Sequence, residues 1–374
     1  MNLSKLENLE AIALIGIIMI NKIILNFQKS IISSTGSSAW LNTIYICIIA
    51  ILFTYLIVRL FKNFPDLDIL DISNYLGGKF LKVIIGIMYI MLFIVISVLL
   101  IRNFSESLKI IYFNSSPIVF LIAFFVVSSC IANKYGIKVI AKVNLILAPI
   151  IFISIILILF ASAKGFIFQR LLPILGYGFN ETFFSGLTNI FGFSGLAYIF
   201  FLQPFLKSYK DFKKVSIISF IISSIYLFLS VICLLLVFSF VTNSNESISI
   251  YLLTRMVRNG DFIQRANAIF VLIWTLSVLS YSSITLYFML HVTKKLTNIE
   301  NTNPINYCYG SLILSSSLLI ANIAQYTAFT ETILKYGTII FIFFINIPVL
   351  IFANIKHLIY TKRKQSKLSK NEAT

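Results

Sequence analysis

Long apolar runs separated by short polar clusters set the pattern of this chain. The sharpest boundary is Arg258-Asn-Gly-Asp-Phe-Ile-Gln-Arg265, which opens directly onto an apolar segment. Gly260 interrupts what precedes it, Asp261 is a favourable N-cap, and Gln264, three residues on, can reach back to the cap amide. The pattern predicts a helix starting here. From Ala266 to Leu290 it carries no ionised side chain, long enough at 1.5 Å per residue to cross a hydrocarbon core of about 30 Å.

Ten such runs follow one another, at about 8–28, 38–61, 80–108, 115–133, 140–163, 182–205, 214–241, 264–291, 305–326 and 334–358. They are continuous rather than alternating, which predicts helices and not barrel strands. Composition agrees: 59% of the residues are hydrophobic and 11% charged, and the mean hydropathy is +0.96, far from a soluble domain. The expected fold class is an all-α integral membrane protein with one transmembrane domain over 1–360. In a soluble protein a net charge of +17 would suggest nucleic acid. In a membrane protein Lys and Arg mark cytoplasmic loops instead, so no nucleic-acid partner is expected. Twenty of the 30 basic residues fall on the side of both termini, which assigns both ends to the cytoplasm.

The connection from Thr242 to Asp261 is apolar enough for a short surface helix. The tail at 361–374, TKRKQSKLSKNEAT, reads as a disordered, basic cytoplasmic end attracted to anionic lipid. Cys47, Cys130, Cys233 and Cys308 are isolated in apolar surroundings and read as small hydrophobes. His291 and His357 fall at helix ends and read as solvated interface residues. There is no metal-ligand cluster, nucleophile–base pair or phosphate-binding loop, so neither an enzyme nor a cofactor is expected.

Candidate chemistry comes from irregularities at membrane depth, where an unwound helix exposes backbone groups to a ligand. The stronger is Asn189-Ile-Phe-Gly-Phe-Ser-Gly-Leu-Ala197 in the sixth run; the weaker is Gly16 in the first. In two five-helix halves, about 8–163 and 182–358, these occupy equivalent positions. Paired interruptions of that kind point to a central site, although glycines at this spacing also serve close helix packing. Lys22 reads as snorkelling to the outer surface. Arg102 and Glu106, four residues apart, can pair on one helix face, and topology would add Asp261 and Arg265 to one outer charged network. Ser277, Ser280, Tyr281, Ser282 and Ser283 bring hydroxyls into the eighth run, where they could line a cavity or bond to their own helix.

Several segments in order carry a resemblance: RLFKNFP (59–65), YLGGK (75–79), RNFSE (102–106), LLP (171–173), FLQPFLK (201–207), GDFIQR (260–265) and FVLIW (270–274). With these the chain resembles the B subunits of bacterial spore germinant receptors, within the amino acid/polyamine/organocation superfamily. The resemblance implies a five-plus-five inverted repeat like that of LeuT, with a small-molecule site between spans one, three, six and eight. It also implies an A subunit and a lipoprotein C subunit as partners, and the inner spore membrane as location. The expected ligand is a nutrient, an amino acid first, with Gly16, Ile17, Val95, Val98, Gly192, Phe193, Ser194, Gly195, Ser277 and Tyr281 around it. Amides near Gly16 and Gly192 to Gly195 would hold a carboxylate. Two features depart from the family pattern: Gly195 stands where many members carry a glutamate, and Ile17-Ile18 without a proline follows Gly16. A transporter of the same fold is the competing expectation, and a scaffold subunit whose site has decayed is a third.

Overall fold

In the computed structural model the described residues are 4–24, 27–240, 253–254 and 266–371. The predicted cap at Asp261 and Gln264, Arg265, and nearly all of the surface segment at 242–261 lie outside them. Among the described residues all regular structure is helical. In chain order these are α1 (Asn8–Ile24), α2 (Phe27–Thr35), α3 (Ala39–Leu60), α4 (Ile69–Ile111), α5 (Ile118–Lys134) and α6 (Ile137–Ala161). There follow α7 (Phe179–Phe183), a 3₁₀ stretch (Ser185–Phe193), α8 (Leu196–Leu202), α9 (Tyr209–Val237), α10 (Ala266–Thr297) and α11 (Asn303–Leu319). The last span is assembled from α12 (Ile323–Phe329), a π turn (Thr330–Leu334), α13 (Lys335–Ile339), a second π stretch (Ile340–Asn346) and α14 (Ile347–Asn371).

Six of these segments are by themselves long and apolar enough to cross a bilayer, and the pair Phe179–Phe193 and Leu196–Phe205, bent by 44°, makes a seventh. The 17-residue helices α1, α5 and α11 complete the ten expected runs. Each is about 25 Å long, slightly under the core thickness. The tail expected to be irregular instead continues α14 to Asn371, because Lys, Arg, Gln and Leu are good helix formers and nothing before Asn371 breaks the turn.

Two interruptions matter. Gly77 and Gly78 leave helical geometry inside α4, with Gly78 at φ 69°, a left-handed conformation that favours glycine. This separates a short helix, 69–76, from the membrane-crossing part. The second is the predicted break in the sixth span, realised as 3₁₀ winding up to Phe193 and a turn at Ser194-Gly195. Gly16 makes no break: α1 runs through it unbroken. A single glycine costs a helix about 1 kcal/mol relative to alanine, which neighbouring isoleucines and packing absorb, and no proline removes a backbone bond.

The core is built from α1, α4, α8, α9 and α10. Every residue of α8 is buried, as expected of a helix apolar all round. The hydroxyl row of α10 supplies bonds between helices. Asn21 Nδ2 on α1 donates to Ser277 Oγ at 2.9 Å and to Ser277 O at 3.2 Å. Ser282 pairs with Ser129 of α5 at 2.6 Å, Ser280 donates to Asn144 of α6, and Thr285 pairs with Tyr198 of α8 at 2.9 Å. In a bilayer such polar contacts hold helices that gain nothing from burying one more leucine.

Candidate ligand chamber

The chamber lies towards the C-terminal end of α1, away from the lysine-rich end that carries the N-terminus. Its volume is about 260 Å³. Span three supplies one wall through Ile96, Leu99, Leu100, Asn103, Glu106 and Ser107, a stripe at the i, i+3, i+4, i+7 spacing of one helix face. Lys22 closes the end of α1, Lys29 and Ser33 come from α2, Tyr281 from α10, and Tyr326 and Glu331 from the last span. The floor is the ring pair Phe27 and Phe191, whose centroids lie 5.1 Å apart edge to face.

Charge in the chamber is unevenly paired. Arg102 bonds Glu106 at 3.0 Å and donates to Ala321 O at 3.2 Å, so the predicted pair forms. Glu331 faces Lys335 at 3.3 Å, and the Lys335 ammonium lies 5.7 Å from the centre of the Phe191 ring. Each glutamate therefore has its own cation. Among the described residues Lys22 and Lys29 have no ion-pair partner. Two surplus positive charges favour an anionic group in the space between them.

The predicted residues divide. Tyr281 lines this chamber, as does Glu106. Val95 and Val98 line a second, mostly apolar cavity of about 390 Å³ between α4, α11 and the last span; they lie one helix face away from the chamber stripe, since depth in a span does not set orientation. Gly16 packs on Phe152, and Ile17 is fully buried with its carbonyl accepting from Asn21 at 2.8 Å. A Cβ on Gly192 would fall on the Phe27 ring, and one on Gly195 on Met19 Sδ. Phe193 stacks on Phe220 of α9 at 6.0 Å, while Ser194 is buried with its hydroxyl unpartnered. The Ser194 amide at the bend is occupied, donating to Phe191 O at 2.9 Å. Thus Met19 and Phe27 fill the hollow beside the sixth-span bend, and open space begins just beyond Phe27. Asp261 and Arg265 of the predicted outer network lie outside the described residues.

Lys29, Asn103, Glu331 and the two rings escaped the sequence reading. One signal was present: Lys22 and Lys29 bracket the end of the first apolar run, and no acidic residue stands nearby to pair with them. A direct test of the floor follows. Gly192→Ala is expected to push Phe27 off its seat and to lower stability by about 1–3 kcal/mol, the range for overpacking. Thermal unfolding in detergent reads it, and an unchanged melting temperature would show that Phe27 moves freely.

Residues 5–326 match the sequence profile of a family described as spore germination protein. Among individual relatives, spore germination protein KB of Bacillus subtilis (strain 168) is 23% identical over 346 residues, covering 91% of each chain. Spore germination protein B2 of the same organism is 22% identical, covering 72% of this chain and 74% of its own. Among solved structures, MhsT in complex with L-phenylalanine superposes with a TM-score of 0.66 at 13% identity, over 95% of this chain and 99% of its own. Mhp1, a nucleobase-cation-symport-1 family transporter closed on bromovinylhydantoin, gives 0.64 at 13% identity, over 90% and 76%. The fold is therefore the LeuT-like five-plus-five inverted repeat.

Proposed function

This chain belongs to the spore germination protein family, and from that premise we propose that it is the nutrient-sensing subunit of a germinant receptor. A small zwitterion, an amino acid first, enters from the outer side of the inner spore membrane and binds in the chamber. Its carboxylate goes to Lys22 and Lys29. Its ammonium takes the amide oxygen of Asn103 and the free lone pairs of Glu106 and Glu331. The observation that carries this reading is the pair of lysines that have no ion-pair partner among the described residues, facing two already neutralised glutamates across a space of about 260 Å³. Sites for drug-sized ligands run to roughly 300–1,000 Å³, so the occupant is small. MhsT, with its bound L-phenylalanine, supports an amino acid on this fold.

Signalling requires that ligand bind one conformation better than another. The mobile part of this reading is the floor: Phe27 and Phe191 swing aside as the ligand settles towards Ser194 and Gly195 at the bend. The movement passes through α8 into the bundle, and the A subunit and the lipoprotein C subunit read the resulting conformation. The chain performs no covalent chemistry in this scheme.

A carrier role is favoured by one observation: the solved structures of similar fold include Mhp1, described as a transporter. A thermal-shift screen of the purified chain against amino acids, nucleosides and sugars, followed by uptake of the labelled hit into proteoliposomes, separates the two. A saturable shift without uptake is expected. Accumulation of label would replace sensing with transport, and no shift with any compound would remove the chamber as a site.

A further inference from the structure

The lysine-rich end of the bundle holds a buried ionic cluster that ligand binding leaves unused. Asp68 Oδ2 lies 3.1 Å from His291 Nε2 and 2.7 Å from Lys295 Nζ, and Lys295 also bonds Asp71. The Asp68 side chain is fully buried and that of His291 is 2% exposed, so the solvated histidine read from the sequence is in fact enclosed. Asp68 also caps the short helix at 69–76, accepting from Leu70 N and Asp71 N, while the Asp71 carboxylate accepts from Asp68 N. At the other end of that helix Lys356 Nζ donates to Tyr75 O at 2.7 Å and Leu76 O at 3.0 Å. The short helix is thus clamped at both ends, and the Gly77-Gly78 break frees it from the span that follows.

The cluster also reaches the sixth span. His291 lies against Phe205 at 5.2 Å and Phe201 at 6.1 Å. Phe205 O in turn accepts from Leu6 N at 2.7 Å, and Leu206 O accepts from Lys5 Nζ at 2.9 Å. Spans one, three, six and eight therefore meet at this one junction.

Counting charges shows what the junction lacks. Two carboxylates and one ammonium leave a net negative charge in a buried place, which is costly. The groups facing His291 and Asp68 are few: Asp71 and Tyr89 from α4, Lys295 and the Tyr287 ring from α10, and the Phe201 and Phe205 rings. Lys5 is already paired with Asp66 at 2.6 Å. Burial and the neighbouring Asp68 charge push the Asp71 carboxyl up, so Asp71 is one group that can take the balancing proton; the His291 ring, 3.1 Å from Asp68, is the other. Burial works against ionised Asp68, but the hydrogen bond from His291 and the charges of Lys295 and His291 outweigh it and hold its carboxyl well below the usual range. Asp68 therefore stays ionised as pH falls through the region where histidine titrates.

We propose that the Asp68–Asp71–His291–Lys295 cluster is a proton-binding latch, in which protonated His291 holds the lysine-rich ends of spans one, three, six and eight together and loss of that proton loosens them. The closed form binds one proton more than the open form, so acid favours closure and alkali favours opening.

Hydrogen exchange of the full chain in lipid nanodiscs tests this, following amides at 69–76 and 203–208 from about pH 5.5 to about 8.5 and correcting for the intrinsic pH dependence of exchange. Protection is expected to fall by up to about tenfold per pH unit once His291 deprotonates, the limit for a one-proton linkage. His291→Gln keeps a donor for Asp68 but takes no proton, and its profile should be flat. Asp71→Asn removes the surplus charge and should flatten the profile too, which serves if His291→Gln fails to fold. A flat wild-type profile overturns the proposal, and so does a slope that survives either substitution.

Discussion

Lys295→Met is expected to lower the stability of the folded chain by about 3–5 kcal/mol, the cost of removing one partner from a buried ion pair. Lys295 is the one ammonium shared by Asp68 and Asp71, with side-chain exposures of 12%, 0% and 29%. Methionine matches the lysine stem in length and apolarity, so lost packing contributes little. The remaining penalty is the electrostatic one: two carboxylates close together in a low-dielectric place with only His291 to offset them. Thermal unfolding in detergent should show a drop of several degrees at neutral pH. Adding Asp71→Asn should recover part of it, because one of the stranded charges is gone, and a double-mutant cycle gives the coupling. Strictly additive losses would mean that the two groups do not interact, and that the cluster contributes only through packing.

Lys22→Met should weaken binding of a carboxylate-bearing ligand by about 30-fold or more, since removing one side of a desolvated charge contact costs roughly 2–5 kcal/mol. Lys22 has no ion-pair partner among the described residues, so its loss strands none of their carboxylates, and the unliganded protein should unfold at nearly the same temperature as the parent. That pairing of effects, affinity lost with stability kept, separates a ligand contact from a structural lysine. The ligand's own stabilising shift is the readout. If a carboxylate ligand stabilises Lys22→Met as strongly as the parent chain, the carboxylate is held elsewhere. The opposite charge offers a control: Glu331→Gln should change binding less, because Lys335 at 3.3 Å already takes much of its charge.

Legibility of the site from sequence followed the range of the interactions. The sixth-span bend was legible because Gly192, Ser194 and Gly195 advertise it locally. What fills the hollow beside it was not, because Met19 and Phe27 arrive from α1 and α2, more than 160 residues earlier in the chain. The hydroxyls of α10 were visible as a row, yet whether Ser277 faced a ligand or Asn21 depended on how α1 was rotated. Val95 and Val98, which the resemblance places around the ligand, line the second cavity instead, because the helix turns a neighbouring face, Ile96 to Ser107, to the chamber. His291 looked like an interface residue because nothing near it in sequence is acidic; its partner Asp68 is 223 positions away.

By itself the sequence determined the solvent and the elements. Unbroken apolar runs of about 20 residues can satisfy their backbone in lipid only as helices, so the number of spans, their order and the position of the main bend follow from local composition. Tertiary structure alone decided which polar groups meet. In a bilayer the apolar faces pack with little preference for one partner over another, and a few buried hydrogen bonds and ion pairs, each joining residues far apart in the chain, select the rotation and register of every helix. Lys22 and Lys29, without an ion-pair partner among the described residues, and the crowded Asp68, Asp71, His291 and Lys295 are products of that selection.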